Sequence, residues 1–116
     1  MKLIIAGGRG RNLTQSEYEL LDKIHSETPI TEVVSGAATG VDKCGEFWAK
    51  QNKITVRRFP AEWHKYGPSA GPRRNKAMAA YAHAVALFPG GRGTDSMWRE
   101  AKEAGLVIFD WRNGND

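Results

Sequence analysis

With 116 residues, 41% of them hydrophobic and 26% charged, the chain is large enough for one packed core but not two. No apolar run approaches the roughly 20 residues of a membrane helix, and the one cysteine, Cys44, excludes an internal disulfide and a cysteine-built metal cluster. A net charge of +4 permits an anionic partner without specifying one.

Met1-Lys2 leads into only four apolar residues before glycine, too short for a signal-peptide core, so a reducing cytoplasm is the expected compartment. Leu3-Ile4-Ile5-Ala6, stopped by Gly7-Gly8, suits a strand buried on both faces, as in a parallel sheet. From Thr14, the spacing of Tyr18, Leu21 and Ile24 predicts an amphipathic helix, with Thr14 and Glu17 forming a capping box and Pro29 closing the unit. Glu32 to Ser35 is a second strand, stopped by Gly36, and Asp42 is read as the cap of a helix running to about Gln51. Ile54 to Phe59 alternates apolar and polar residues, the pattern of a third strand with one wetter face, suited to a sheet edge.

Pro60 to Gly71 is read as the longest loop, rich in aromatic and basic residues, followed by a helix with Pro72 in its first position that runs to about Tyr81. Ala84 to Phe88 is the fourth strand. A helix from Asp95 to Ala104 ends at Gly105, and Leu106 to Phe109 is the fifth strand. Residues 1–112 are expected to form a single domain, with Asn113 to Asp116 a polar tail.

Strict alternation of strand and helix predicts an α/β fold: a doubly wound, five-stranded parallel sheet of order 3-2-1-4-5 with helices on both faces. In such sheets ligands bind beyond the strand C-termini, where the first and fourth strands lie side by side. Three glycine-bearing loops then converge: Gly7-Gly8-Arg9-Gly10, Ser35 to Gly40, and Pro89-Gly90-Gly91-Arg92-Gly93-Thr94. A strand running through glycines into a helix is a ready anion site, because backbone N–H groups and the helix dipole face the ligand.

Arg73, Arg74 and Lys76 are placed in the first turn of a helix and Arg92 just ahead of another, where the dipole disfavours cations by about 0.3–1 kcal/mol each. A bound anion offsets that cost, and arginine grips phosphate bidentately; the plain alternative is that these side chains reach into water. Named nucleotide motifs fail. Gly8-Arg9-Gly10-Arg11-Asn12-Leu13 lacks the third glycine of the dinucleotide fingerprint, and Gly40 to Gly45 has P-loop glycine spacing with Glu46 in place of the lysine. Asp42 and Asp95 are weak candidates for a catalytic carboxylate, and Asp42 is more often a helix cap. His64 has no second histidine at metal-ligand spacing, so no metal is expected. Trp63 and Tyr66 are candidates for stacking on a base, with loop anchoring the plain alternative.

Five segments taken together carry a resemblance: Gly7-Gly8-Arg9, Ser35-Gly36-Ala37 through Gly40-Val41-Asp42, Phe59 to Trp63, Gly71-Pro72-Arg73-Arg74-Asn75, and Phe88 to Thr94. In this order, from Lys2 to about Phe109, the chain resembles the YspA-type family of the SLOG superfamily. The resemblance implies a Rossmann-like fold and binding of nucleotides or nucleotide-derived ligands. Relatives include cytokinin-activating phosphoribohydrolases, molybdenum-cofactor carriers, a DNA-processing protein and ligand sensors of bacterial and phage conflict systems, so a bacterial or phage origin is implied as well. In the phosphoribohydrolases the Pro-Gly-Gly-x-Gly-Thr motif continues into catalytic glutamates. Ser96 and Met97 stand there in this chain, whereas Arg74 matches an arginine of those enzymes. His83 stands where relatives carry aspartate before the fourth strand.

The expected function is binding of a phosphorylated, nucleotide-type small molecule. Its site would comprise Gly7, Gly8, Arg9, Ser35, Gly36, Gly40, Asp42, Arg73, Arg74, Asn75 and Pro89 through Thr94. One alternative is hydrolysis of a nucleotide N-glycosidic bond. Another is binding of single-stranded nucleic acid through the basic charge with Trp63 and Tyr66, which the small positive excess makes the weaker reading. No cofactor beyond such a ligand is expected. Self-association as a homodimer or higher oligomer is.

Overall fold

A computed structural model describes residues 1–113. The elements in chain order are β1 (Lys2–Ala6), α1 (Gln15–Glu27), β2 (Glu32–Ser35), α2 (Val41–Gln51), β3 (Thr55–Arg58) and α3 (Trp63–Tyr66). A 3₁₀ turn at Gly67–Ser69 leads into α4 (Ala70–Tyr81), then β4 (Ala84–Leu87), α5 (Arg92–Glu103) and β5 (Val107–Asp110). The strands form one all-parallel sheet of order β3-β2-β1-β4-β5, as the alternation of elements predicts. Ile4 at its centre is level with Val34 on one side and Val85 on the other.

The two-residue period of the strands divides the core between the faces. Leu3, Ile5 and Val33 pack with Leu21 and Ile24 of α1 and Trp48 of α2. Ile4, Val34 and Val85 pack with Met78 of α4 and Met97 and Ala101 of α5. Each such aliphatic side chain, removed from water, contributes about 1.5–3 kcal/mol, and these two layers hold helices on both faces of the sheet. β3 is an edge strand with Thr55, Arg57 and Arg58 exposed, which blunts pairing with another chain.

The capping box of α1 forms as expected: Glu17 N–H donates to Thr14 Oγ1 at 3.2 Å and Thr14 N–H to Glu17 Oε1 at 2.9 Å. Gly105 follows the end of α5 at φ +73°, the left-handed conformation that closes helices.

Five features differ from expectation. The segment read as the longest loop is mostly helical, comprising α3, the 3₁₀ turn and the start of α4. Pro72 is the third residue of α4, still within the first turn, where its missing N–H costs no intrahelical bond. Arg73, Arg74 and Lys76 therefore lie beyond the first three residues of α4, and the dipole argument does not hold them. α2 starts at Val41 with Gly40 as its cap, so Asp42 is not the cap. α5 starts at Arg92, a turn earlier than Asp95, with Gly91 as its cap. The fifth strand is shifted by one residue, to Val107–Asp110.

Among the described residues no helix is long and apolar enough to cross a membrane. Of the expected polar tail, residues beyond Asn113 lie outside the described part of the chain.

Candidate functional site

The parallel sheet brings the C-terminal ends of β1, β2 and β4 to one edge, and the loops that leave them interlock. Gly8 N–H donates to Pro89 O at 2.9 Å, joining the β1 and β4 loops. Val41 N–H donates to Gly8 O at 3.1 Å, and Thr39 Oγ1 donates to Arg9 O at 3.2 Å, joining the β2 loop to the β1 loop. These contacts require glycine. A β-carbon on Gly90 would sit 2.2 Å from Thr94 Oγ1 and 2.7 Å from Gly8 N, and one on Gly40, at φ +72°, would sit 2.4 Å from Gly8 O.

Between the loops lies a cleft of about 290 Å³. Gly91, Arg92, Gly93 and Thr94 form one wall, Gly7 and Arg9 another, Ala38, Asp42, Arg74 and Asn75 a third, with Ala6, Met78 and Met97 completing the lining. The cap of α5 is a glycine without a side-chain hydrogen bond, and the first i→i−4 bond of the helix is Asp95 N–H to Gly91 O at 3.1 Å. The amides of the first turn ahead of Asp95 are thus uncapped at the cleft, with the positive end of the helix dipole behind them.

Arg74 is the junction. Its Nη1 donates to Gly36 O and its Nε to Asn75 Oδ1 at 2.9 Å. Burial lowers its pKa, and the nearby Asp42 charge offsets part of that fall. No hydrogen bond among the described residues engages Nη2. Asn75, buried, fastens α4 to the start of α5 by donating to Gly93 O and Ser96 Oγ, each at 3.2 Å.

Asp42 is 8% exposed, and its Oδ2 accepts the Ala38 N–H at 3.1 Å. Burial pushes its carboxyl up to about 6; the Ala38 bond, Arg74 and Arg9 oppose the rise, while Glu46 adds to it. A carboxyl titrating near neutrality beside cationic groups in a cleft is equipped for proton transfer.

The expected site residues do not all meet. Gly7, Arg9, Asp42, Arg74, Asn75, Gly91, Arg92, Gly93 and Thr94 border the cleft. Gly8, Pro89, Gly90 and Gly40 are its scaffold, and Gly36 lies against Arg74. Ser35 does not reach the cleft: it is 0% exposed, its hydroxyl donating to Glu46 Oε2 at 2.6 Å and accepting from Ala37 N–H at 3.1 Å. Arg73 lies over the Tyr66 ring at 4.3 Å, and both border a cavity of about 460 Å³ that shares only Arg74 with the cleft. Asp95 is exposed and paired with Arg112 at 3.0 Å, outside the cleft. Trp63 borders a third cavity and lies beneath Arg9, whose guanidinium is 5.5 Å from the ring centroid.

Two contributors escaped the sequence reading. Ala38 lines the cleft and positions Asp42, and nothing in its residue type signals either role. Glu46 ties Ser35 to Arg58 and raises the Asp42 carboxyl. Its position one turn after Asp42 on the same helix was the available signal.

The model of a family described as "YspA, cpYpsA-related SLOG family" matches residues 1–66. No curated protein matches significantly. Among solved structures, DNA processing protein A (DprA) from Streptococcus pneumoniae superposes with a TM-score of 0.70 at 17% identity, over 92% of this chain and 48% of that one. The chain thus spans about half the length of that protein. The structural-genomics target TM1055 superposes with a TM-score of 0.68 at 17% identity, covering 92% of this chain and 71% of its own. These likenesses concern the fold, whereas the family match covers more than half of the sequence: the chain belongs to the YspA, cpYpsA-related SLOG family.

Proposed function

We propose that the chain binds a nucleotide or nucleotide-derived phosphorylated ligand, its phosphate seated at the N-terminus of α5. The observation that carries this reading is the uncapped first turn of α5 opening into a cleft shared with Arg9, Arg74 and Arg92. Helix-start amides without a side-chain cap among the described residues, a helix dipole and guanidinium groups favour a dianion over a neutral ligand. Membership of a SLOG family supports a nucleotide over other phosphorylated molecules. Bacterial or phage nucleotide signalling, a cytoplasmic setting and self-association complete the proposal. Calorimetry against nucleoside monophosphates, cyclic nucleotides and ADP-ribose tests it: saturable binding that Arg74→Ala weakens at least tenfold is expected. Absence of binding by the wild type, or unchanged binding by Arg74→Ala, would sink it.

Cleavage of a nucleotide N-glycosidic bond is a second possibility, favoured by one observation, the Asp42 carboxyl with its raised pKa in the same cleft. Against it, Ser96 and Met97 stand where related hydrolases carry glutamates; Ser96 is hydrogen-bonded to Asn75 and Met97 is an apolar wall. Chromatography after incubation with AMP separates binding from cleavage. Free adenine formed by the wild type and not by Asp42→Asn would establish hydrolysis.

A further inference from the structure

The cleft at α5 continues beyond Arg74. A second cavity, of about 360 Å³, shares Arg9, Ala38 and Arg74 with it. The first cavity alone, at about 290 Å³, falls just short of the roughly 300–1,000 Å³ usual for small-molecule sites; the two together lie well within that range. Their chemistry is divided. The first holds the α5 amides and Arg92, whereas the second adds no charged side chain: its other walls are small or uncharged residues, Pro60 and Ala61 among them, and the indole of Trp63.

Trp63 is 46% exposed, so much of its ring is accessible to a ligand. Its placement is nonetheless specific. One edge packs on the first turn of α4, where a β-carbon on Gly71 would meet it at 3.3 Å, and Arg9 lies over the ring. In the same cavity lining Ala37 holds φ +61°, a left-handed conformation that non-glycine residues adopt at a cost and that clusters at ligand clamps. Tyr66, the other aromatic candidate, is absent from both cavities and lies under Arg73.

Building on the phosphate reading above, we infer that the two cavities are one site for a nucleoside 5′-phosphate: phosphate at α5, base against the indole of Trp63. Arg9 and Arg74 stand at the junction, where the ribose passes from the charged half to the flat apolar half. Purine or pyrimidine identity is secondary, because every base has a face to stack.

Calorimetry with AMP, GMP and ribose 5-phosphate, on wild type, Trp63→Ala and Trp63→Phe, tests the inference. The wild type is expected to bind AMP and GMP at least tenfold more tightly than ribose 5-phosphate. Trp63→Ala should lose roughly tenfold in affinity for both nucleotides, the effect of one lost base stack, with ribose 5-phosphate binding unchanged. Trp63→Phe should retain most of the nucleotide affinity. Equal binding of AMP and ribose 5-phosphate by the wild type, or an equal loss for both in Trp63→Ala, would make Trp63 a loop anchor and overturn the inference while the phosphate site stands. Failure of all three compounds to bind the wild type would overturn both.

Discussion

Arg74 and Asp42 converge on Gly36: a β-carbon there would lie 2.6 Å from Arg74 Nη1 and 2.8 Å from Asp42 Oδ2. The glycine is thus the surface on which a cation from α4 and a carboxyl from α2 are brought together, and a methyl group must displace both. Both are side-chain ends, so the backbone can survive the change. Gly36→Ala is expected to leave a folded protein by circular dichroism, with nucleoside monophosphate affinity reduced at least tenfold, close to the loss in Arg74→Ala. Wild-type affinity in Gly36→Ala would show that the placement of Arg74 is immaterial to binding.

Asp42 should give stability an inverted pH dependence. Its carboxyl is raised from 3.8 to about 6, so the neutral form is favoured by folding. Its stabilising contribution is full below pH 3.8 and lost as pH rises through about 6, a span worth about 3 kcal/mol at 1.36 kcal/mol per unit. Asn keeps an oxygen to accept the Ala38 N–H without the charge. Urea titrations should therefore find Asp42→Asn more stable than wild type at pH 7.5, by up to about 3 kcal/mol, and near parity at pH 4. Glu17 acts in the opposite sense: burial pushes it up, but Arg11 and Thr14 outweigh burial, so its contribution is lost as pH falls below 4.5. Comparison of the two proteins at each pH cancels that term. A variant less stable than wild type at pH 7.5 would contradict the assignment.

The β4–α5 turn places Gly90 and Gly93 in opposite surroundings. Gly90 has no room for a methyl group, because Thr94 Oγ1 and the backbone N of Gly8 stand at 2.2 and 2.7 Å. Gly90→Ala should cost about 2 kcal/mol or more through overpacking against backbone, lowering Tm by roughly 10 °C. Gly93, the second residue of α5, has nothing within 4 Å of that point. Gly93→Ala should be neutral or stabilising by up to about 1 kcal/mol, from helix propensity. Calorimetric melts of the two variants check the contrast, and equal Tm losses would refute it.

Arg11 and Glu17 form an ion pair at 2.7 Å, with side chains 29% and 8% exposed, and Arg11 Nη1 is buried without a partner among the described residues. Removing Glu17 strands that guanidinium and opens the capping box of α1. Glu17→Ala should cost about 3 kcal/mol. The double variant Arg11→Leu/Glu17→Gln should recover part of the loss, since Gln still accepts the Thr14 N–H and no buried charge is left. Chemical denaturation of wild type, Arg11→Leu, Glu17→Gln and the double variant, with Glu17→Ala alongside, measures the coupling. Additive losses would show the pair to be uncoupled.

Much of the architecture was legible residue by residue. Leu3 to Ala6 and Ala84 to Leu87 are apolar without interruption because they are central strands covered on both faces, and Thr14 with Glu17 announces the start of α1. The stretch around Pro60, Gly67 and Pro72 was not legible. Its prolines and glycines are usual loop residues, but a proline in a first turn breaks no bond, and α3 is too short to show a period. Asp42 was misread for a related reason. Two positions after glycine at a helix start, it has the pattern of a cap; its burial comes from Gly36, Ala38 and Arg74, none of which adjoins it in sequence.

The sequence by itself determined the order of strands and helices, the parallel sheet and the convergence of three glycine loops, because periodicity and backbone freedom are local properties. Which charged groups face the cleft was decided only by tertiary structure. Arg74 enters it and Arg73 leaves it although they are neighbours, since adjacent helical residues point about 100° apart. Burial of Asp42 and the junction of the two cavities at Arg9 and Arg74 arise the same way, from elements far apart in the chain that exclude water only when packed together.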